Sequence, residues 1–284
     1  MAIGAGDLVL CSGTLPRGTS FADRVAAASG AGFQGISLWG RDVRAALDEG
    51  LSWADMAAML ADHDLVVAEL DPAWWWTPGA ADVRVPPELD PMDIFAFGPS
   101  ELFAAADALG ARSLNAVDVL GGAWSTEEAA GCFARLCREA AEHGLLVHLE
   151  WLKWSAVCDL SSALAVVDMA GAPNGGITLD AWHFTRTGTR VEELRRVPGN
   201  LIMAVQLDDG PLEPEPDLIH ATLHERLLPG QGAFDLPGIL EALDVIGAHA
   251  PVGVEVFSDE LHSSGARQAA ALAATALRRV ITER

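Results

Sequence analysis

Leu145-Leu146-Val147-His148-Leu149-Glu150 is an apolar run that closes on a carboxylate. Gly176-Ile177-Thr178-Leu179-Asp180 and Leu201-Ile202-Met203-Ala204-Val205-Gln206-Leu207 repeat the pattern at intervals wide enough for one helix each. Runs that are apolar at nearly every position, rather than at alternate ones, mark strands buried on both faces of a parallel sheet. Working outward, Val252-Gly253-Val254-Glu255-Val256-Phe257 follows downstream. Upstream stand Leu8-Val9-Leu10-Cys11, Gly35-Ile36-Ser37-Leu38-Trp39, Val66-Val67-Ala68-Glu69-Leu70 and Ser113-Leu114-Asn115-Ala116-Val117, which brings the candidate strands to eight.

Helical segments separate these runs. Ser52-Trp53-Ala54-Asp55 and Ser125-Thr126-Glu127-Glu128 have the spacing of helix starts in which a side chain caps the first turn. Phe133, Leu136 and Ala140 continue a helical period after the second, and a final helix is expected over about 264–282. Eight strand–helix units with no break in composition predict an α/β fold, a single (β/α)8 TIM barrel over residues 1–284. An open doubly wound sheet would need a glycine-rich phosphate turn after the first strand, and Cys11-Ser12-Gly13-Thr14-Leu15-Pro16 does not provide it. Two connections, about 71–99 with Trp74-Trp75-Trp76 and about 208–234, are longer than a barrel requires. Both follow strands, so both are expected over the face where barrel enzymes carry their chemistry.

Composition narrows the function. Forty acidic against eighteen basic residues give a formal charge of -22 in 284 residues, which opposes binding to nucleic acid. No apolar run reaches the roughly 20 residues of a membrane span, and no basic-then-apolar leader opens the chain, so a cytoplasmic protein without membrane contact is expected. Cys11, Cys132, Cys137 and Cys158 lack metal or redox spacing and read as isolated packing residues.

Glu150, Asp180, Gln206 and Glu255 stand at the ends of consecutive candidate strands. Carboxylates gathered at one barrel mouth repel one another unless a cation lies among them. Hard oxygen donors suit Mn²⁺ or Mg²⁺, with Zn²⁺ or Co²⁺ as alternatives. Lys153, the sole lysine, falls in the loop past Glu150, where it is a candidate acid/base or anion contact. Trp39, Trp74, Trp182 and Trp154 sit at or just past strand ends and could wall a pocket for a substrate less polar than a free sugar. His148 is expected to be a buried, hydrogen-bonded histidine, and Asp208 points the same way as Gln206.

His148-Leu149-Glu150, Leu179-Asp180-Ala181-Trp182-His183-Phe184, Val205-Gln206-Leu207-Asp208-Asp209, Arg226-Leu227-Leu228-Pro229-Gly230-Gln231-Gly232 and Val254-Glu255-Val256-Phe257-Ser258 occur in that order. In these motifs the chain resembles the sugar phosphate isomerase/epimerase family of xylose isomerase-like barrels. The resemblance implies Glu150, Asp180, Gln206 and Glu255 as metal ligands, with Gln206 in a place where many members carry His. It implies His183 and Arg226 as residues that touch the substrate or the ligands, and Glu150 and Glu255 as the pair that exchanges a substrate proton. The implied function is a metal-dependent isomerase or epimerase acting on a hydroxyketone, polyol or keto-sugar through an enediolate. The alternative is a dehydratase of the dehydroshikimate or inosose type, since the same intermediate can expel a β-hydroxyl. No phosphate cradle is visible, so a non-phosphorylated small molecule is the expected partner; a homo-oligomer is also allowed. Two remoter readings are an abasic-site endonuclease, whose extra histidines are replaced here by Glu69, Asn115, Gln206 and Leu227, and a non-catalytic barrel, whose ligand set would be broken.

Overall fold

The computed structural model describes residues 3–85, 90 and 92–283. Its strands are β1 (Leu8–Leu10), β2 (Gly35–Trp39), β3 (Val66–Ala73), β4 (Ser113–Val117), β5 (Leu146–Glu150), β6 (Gly175–Asp180), β7 (Ile202–Leu207) and β8 (Val252–Val254). All neighbours pair in parallel, and β1 returns to β8 through Leu8↔Val252 and Leu10↔Val254, so the sheet is a closed barrel rather than an open one. The apolar runs are buried along both faces because the outer face meets helices and the inner face meets the opposite strands.

The helices begin where the sequence offers a capping oxygen. Ser20, Ser52, Ser125 and Asp159 each accept a backbone N–H from the first turn of the helix that follows, which satisfies a donor the helix cannot pair itself. The last helix, Ala266–Thr282, buries Ala269, Ala270, Ala273, Leu277 and Val280 against the barrel wall. Leu272 of the same helix is 42% exposed. Among the described residues no helix is long and apolar enough to cross a membrane.

Two departures from the sequence reading matter for the site. β3 does not stop at Leu70 but runs to Ala73, which keeps Asp71 in the barrel wall, paired in register with Trp39. The expected loop over about 71–99 therefore begins later, and its residues 86–89 and 91 lie outside the described residues. The loop over about 208–234 is partly ordered by a short helix, Leu218–His224, and by isolated bridges Asp209↔Leu227 and Glu225↔Ser258.

Candidate metal centre

The strand-end residues gather at the barrel mouth: Val117 lies beside Glu150 and Asp180 beside Gln206, while Glu255 follows directly after β8. Glu69, Asp71, Glu150, Asp180, Asp208 and Glu255 are all buried here, none more than 7% exposed. Burial and mutual repulsion push the carboxyls of Glu150, Glu255, Asp71 and Asp208 up. Glu150 is raised by burial, then by Asp180 and Glu255; Glu255 by burial and Asp71; Asp71 by burial and Glu150; Asp208 by burial and Asp180.

Each carboxylate has a specific neighbour. Asp180 caps the helix Ala181–Arg186, its Oδ1 accepting the His183 backbone N–H at 2.9 Å. Its Oδ2 accepts from Arg226 Nη1 at 2.9 Å, and Asp208 Oδ2 accepts from the same nitrogen at 2.6 Å. Burial works against the Arg226 charge, but Asp180, Asp208 and Glu255 outweigh it and hold the guanidinium protonated. Glu150 Oε2 accepts from Asn115 Nδ2 at 2.6 Å, and its Oε1 lies 3.4 Å from His183 Nε2. Asn115 also reaches Asp71 Oδ1 at 3.2 Å. Burial lowers the His183 pKa to about 4, so its ring is neutral near pH 7.

One guanidinium does not balance this many acids. Arg226 serves Asp180, Asp208 and, at 4.0 Å, Glu255, while Glu150, Asp71 and Glu69 meet no arginine within 4 Å, only the Asn115 and Gln206 amides, the His183 and His148 rings and the Cys11 thiol. Gln206 Oε1, Glu255 Oε1 and His183 Nδ1 are buried with no hydrogen-bond partner among the described residues. Buried acceptors without partners are expensive, and a cation is the partner these oxygens fit. Donor atoms of Glu150, Asp180 and His183 already lie within 4.8 Å of one another. This tight group includes His183, which the sequence reading placed in touch with the substrate or the ligands, alongside two of the four expected ligands.

Above the acids opens a cavity of about 330 Å³. Trp39, Phe95, Val117, Trp154 and Phe257 supply much of its apolar wall, and Asp71, Glu150, His183, Thr222, Arg226 and Glu255 face it from below and the side. Trp39 is thus where a substrate-contacting residue is expected, with the Arg41 guanidinium 4.2 Å over its ring. Three other expected residues are not among those lining this cavity. Trp74 is buried with its indole N–H donated to Phe97 O at 2.7 Å. Trp182 is fully buried, donating to Thr222 Oγ1 at 2.8 Å beneath Arg186. Lys153 is exposed, because the chain past Glu150 turns Leu152 and Trp154 inward and the residue between them outward. His148 is buried and hydrogen-bonded to Thr178 and Ser113, as expected.

The sequence reading missed Asp71 and Asn115. Asp71-Pro72 looks like a turn, but the alternation Glu69-x-Asp71 continues the inward face of β3 and was the available signal. Nothing in the spacing of Asn115 marks it as the bridge between Asp71 and Glu150.

A closed eight-stranded barrel with an acidic, cation-deficient mouth under an apolar cavity is the frame on which the comparisons fall. The xylose isomerase-like TIM barrel family matches residues 25–280, and the chain belongs to that family. It is 29% identical over 269 residues to a 3-dehydroshikimate dehydratase of Pseudomonas aeruginosa, covering 91% of this chain and 38% of that protein. The chain therefore spans about two fifths of the length of that relative. It is 32% identical over 132 residues to an inosose isomerase of Bacillus subtilis, 46% of each protein. A crystal structure of the IolI protein with a bound zinc atom has the same fold at TM-score 0.83 and 21% identity, covering 98% of both chains.

Proposed function

We propose that this chain is a divalent-metal-dependent enzyme that works at the carbon beside a carbonyl in a small, non-phosphorylated hydroxyketone. The observation that carries this is the set of unpaired buried atoms, Gln206 Oε1, Glu255 Oε1 and His183 Nδ1, among acids that a single arginine serves. Glu150, Asp180, Gln206 and Glu255 would hold the ion, and the zinc atom bound by the IolI protein of the same fold supports a divalent metal. Bound there, a divalent ion supplies Lewis-acid polarisation of the substrate carbonyl. Mn²⁺ or Mg²⁺ fits the oxygen-rich set best.

The remaining work falls to the chain. Glu150 and Glu255 both face the cavity and are placed to take a proton from the carbon or return it. His183, neutral near pH 7, can hydrogen-bond a substrate oxygen. The wall formed by Trp39, Phe95 and Phe257 keeps water away from the reacting carbon.

Removal of that proton leads either to loss of a β-hydroxyl or to return of the proton elsewhere. Dehydration is our first reading, supported by likeness to the dehydratase over 91% of the chain. Isomerisation or epimerisation is the second, supported by the Glu150–Glu255 pair and by the likeness to inosose isomerase. The test is incubation with Mn²⁺ in D₂O with cyclic hydroxyketones, including 3-dehydroshikimate and an inosose. A conjugated, ultraviolet-absorbing product supports dehydration, and deuterium at the α-carbon without loss of water supports isomerisation. Neither outcome with any ketone, together with no divalent ion bound, sinks the proposal.

A further inference from the structure

Below the cavity, one buried hydrogen bond joins opposite sides of the barrel. Gln206 Nε2 on β7 donates to Glu69 Oε1 on β3 at 3.1 Å. An amide side chain can be turned either way about its last bond, and which atom is oxygen follows from its partners. Here the partner decides it. Glu69 is itself held by the barrel, with Oε1 3.7 Å from Cys11 Sγ and Oε2 3.6 Å from His148 Nε2. A carboxylate oxygen accepts and an amide oxygen accepts, so Gln206 must present its NH₂ to Glu69. Its Oε1 is then turned away from Glu69 and has no hydrogen-bond partner among the described residues. The neighbouring position on β8 is Gly253, where a Cβ would stand 2.8 Å from Cys11 Sγ and 3.8 Å from Gln206 Cγ. A side chain at 253 would press on Cys11, whose thiol donates to Glu69.

We infer that Glu69 is a positioning residue that fixes the Gln206 amide with its oxygen toward the proposed cation and so sets which metals the site prefers. The inference rests on the metal-dependent reading above. The physical logic is that of carboxylates behind metal-bound histidines, where the outer acid orients the ligand and raises its donor strength. In this chain the oriented group is an amide, so the ion sees an oxygen donor, the kind preferred by Mn²⁺ or Mg²⁺ over a softer ion. A histidine at 206 would use the same acceptor: one ring N–H to Glu69, the other nitrogen to the metal.

The test is direct titration of metal into the full-length, metal-stripped protein, followed by calorimetry and by the Mn²⁺ electron paramagnetic resonance signal. Glu69→Gln is isosteric but offers both a donor and an acceptor, so the amide loses its imposed orientation. Mn²⁺ affinity is expected to fall about 10- to 100-fold. The exchanged pair Glu69→Gln with Gln206→Glu keeps the total charge and restores one donor facing one acceptor, and is expected to recover wild-type affinity or better. A purely structural role for Glu69 would not predict that recovery. If Glu69→Gln does not fold, Gln206→His carries the test: with Glu69 in place it is expected to shift the Zn²⁺-to-Mn²⁺ affinity ratio by at least about tenfold towards Zn²⁺. Unchanged Mn²⁺ affinity in Glu69→Gln, failure of the exchanged pair to recover it, or an unshifted ratio in Gln206→His would overturn the inference. Wild-type protein that binds neither ion would instead overturn the metal-dependent reading on which it rests.

Discussion

Asp180 and Arg226 meet through one buried contact, Oδ2 accepting from Nη1 at 2.9 Å, while the other oxygen of Asp180 stays on the His183 backbone N–H. The arginine is anchored from behind by Nε donating to Thr222 O at 3.0 Å, so its charge is fixed at the edge of the acidic cluster rather than at its centre. Arg226→Leu leaves Asp180 and Asp208 buried without their shared donor. Removal of one partner from a buried pair costs about 3–5 kcal/mol, and metal-free protein is expected to lose about that much in urea unfolding. Arg226→Lys keeps a charge but cannot span Thr222, Asp180 and Asp208 together, so it should recover only part of the loss. An unchanged unfolding midpoint in Arg226→Leu would show that the guanidinium does not hold this cluster.

Glu255 faces the cavity with Oε1 unpaired, and its carbonyl oxygen lies 3.4 Å from Arg226 Nη1. Glu255→Gln preserves size and removes both a proton acceptor and a charge. Turnover of any substrate found by the ketone screen is expected to be abolished. Steady-state rates within about tenfold of wild type, roughly 1.4 kcal/mol of barrier, would remove Glu255 from the mechanism.

Much of this site can be read in the sequence because parallel strands are buried on both faces. Polar residues that interrupt such runs, as Glu150, Asp180, Gln206 and Glu255 do, have no cheap explanation except convergence at a site. What the runs do not show is where a strand ends. β3 continues through Asp71-Pro72, and Asp71 pairs with Trp39 of β2 although the proline after it has no N–H to offer the ladder. Trp74 and Lys153 stand away from the cavity for a different reason. Position just past a strand end places a residue at the rim, but the direction of its side chain depends on the loop: Trp74 turns to the Phe97 carbonyl and Lys153 turns to solvent. Arg226 is legible as a motif residue, whereas its contacts depend on the bridges that fold the 208–234 loop back onto the mouth.

His148 predicts an acid sensitivity of the fold. It is fully buried with Nδ1 2.6 Å from Thr178 Oγ1 and Nε2 2.9 Å from Ser113 Oγ, and burial lowers its pKa to about 3. The unfolded chain has an ordinary histidine near pH 6.5 and takes up the proton first on acidification. The stability contributed by the neutral ring is therefore complete above about pH 6.5 and is lost as pH falls towards about 3, at roughly 1.4 kcal/mol per unit. Between pH 7 and pH 5 the wild type is expected to lose about 2 kcal/mol more than His148→Gln, measured by urea unfolding at both values. Parallel losses in the two proteins would mean that the imidazole is not held neutral in the fold.

Asp71 carries the last prediction. It lines the cavity, is 4% exposed, and has Oδ1 engaged by Asn115 Nδ2 at 3.2 Å. A carboxylate in this place only accepts hydrogen bonds, which suits it to a substrate hydroxyl. Asp71→Asn retains the shape, and the new amide can still turn its oxygen to Asn115, so thermal stability of the metal-loaded protein is expected to change little. A substrate hydroxyl that meets an amide N–H instead of an acceptor forfeits a buried hydrogen bond, which is worth about 1–3 kcal/mol. By the same arithmetic kcat/KM is expected to fall about 5- to 150-fold. A rise in KM with kcat preserved would assign Asp71 to ground-state binding, and a fall in kcat alone would assign it to the transition state. An Asp71→Asn enzyme with wild-type kcat/KM would show that the substrate does not reach this wall of the cavity.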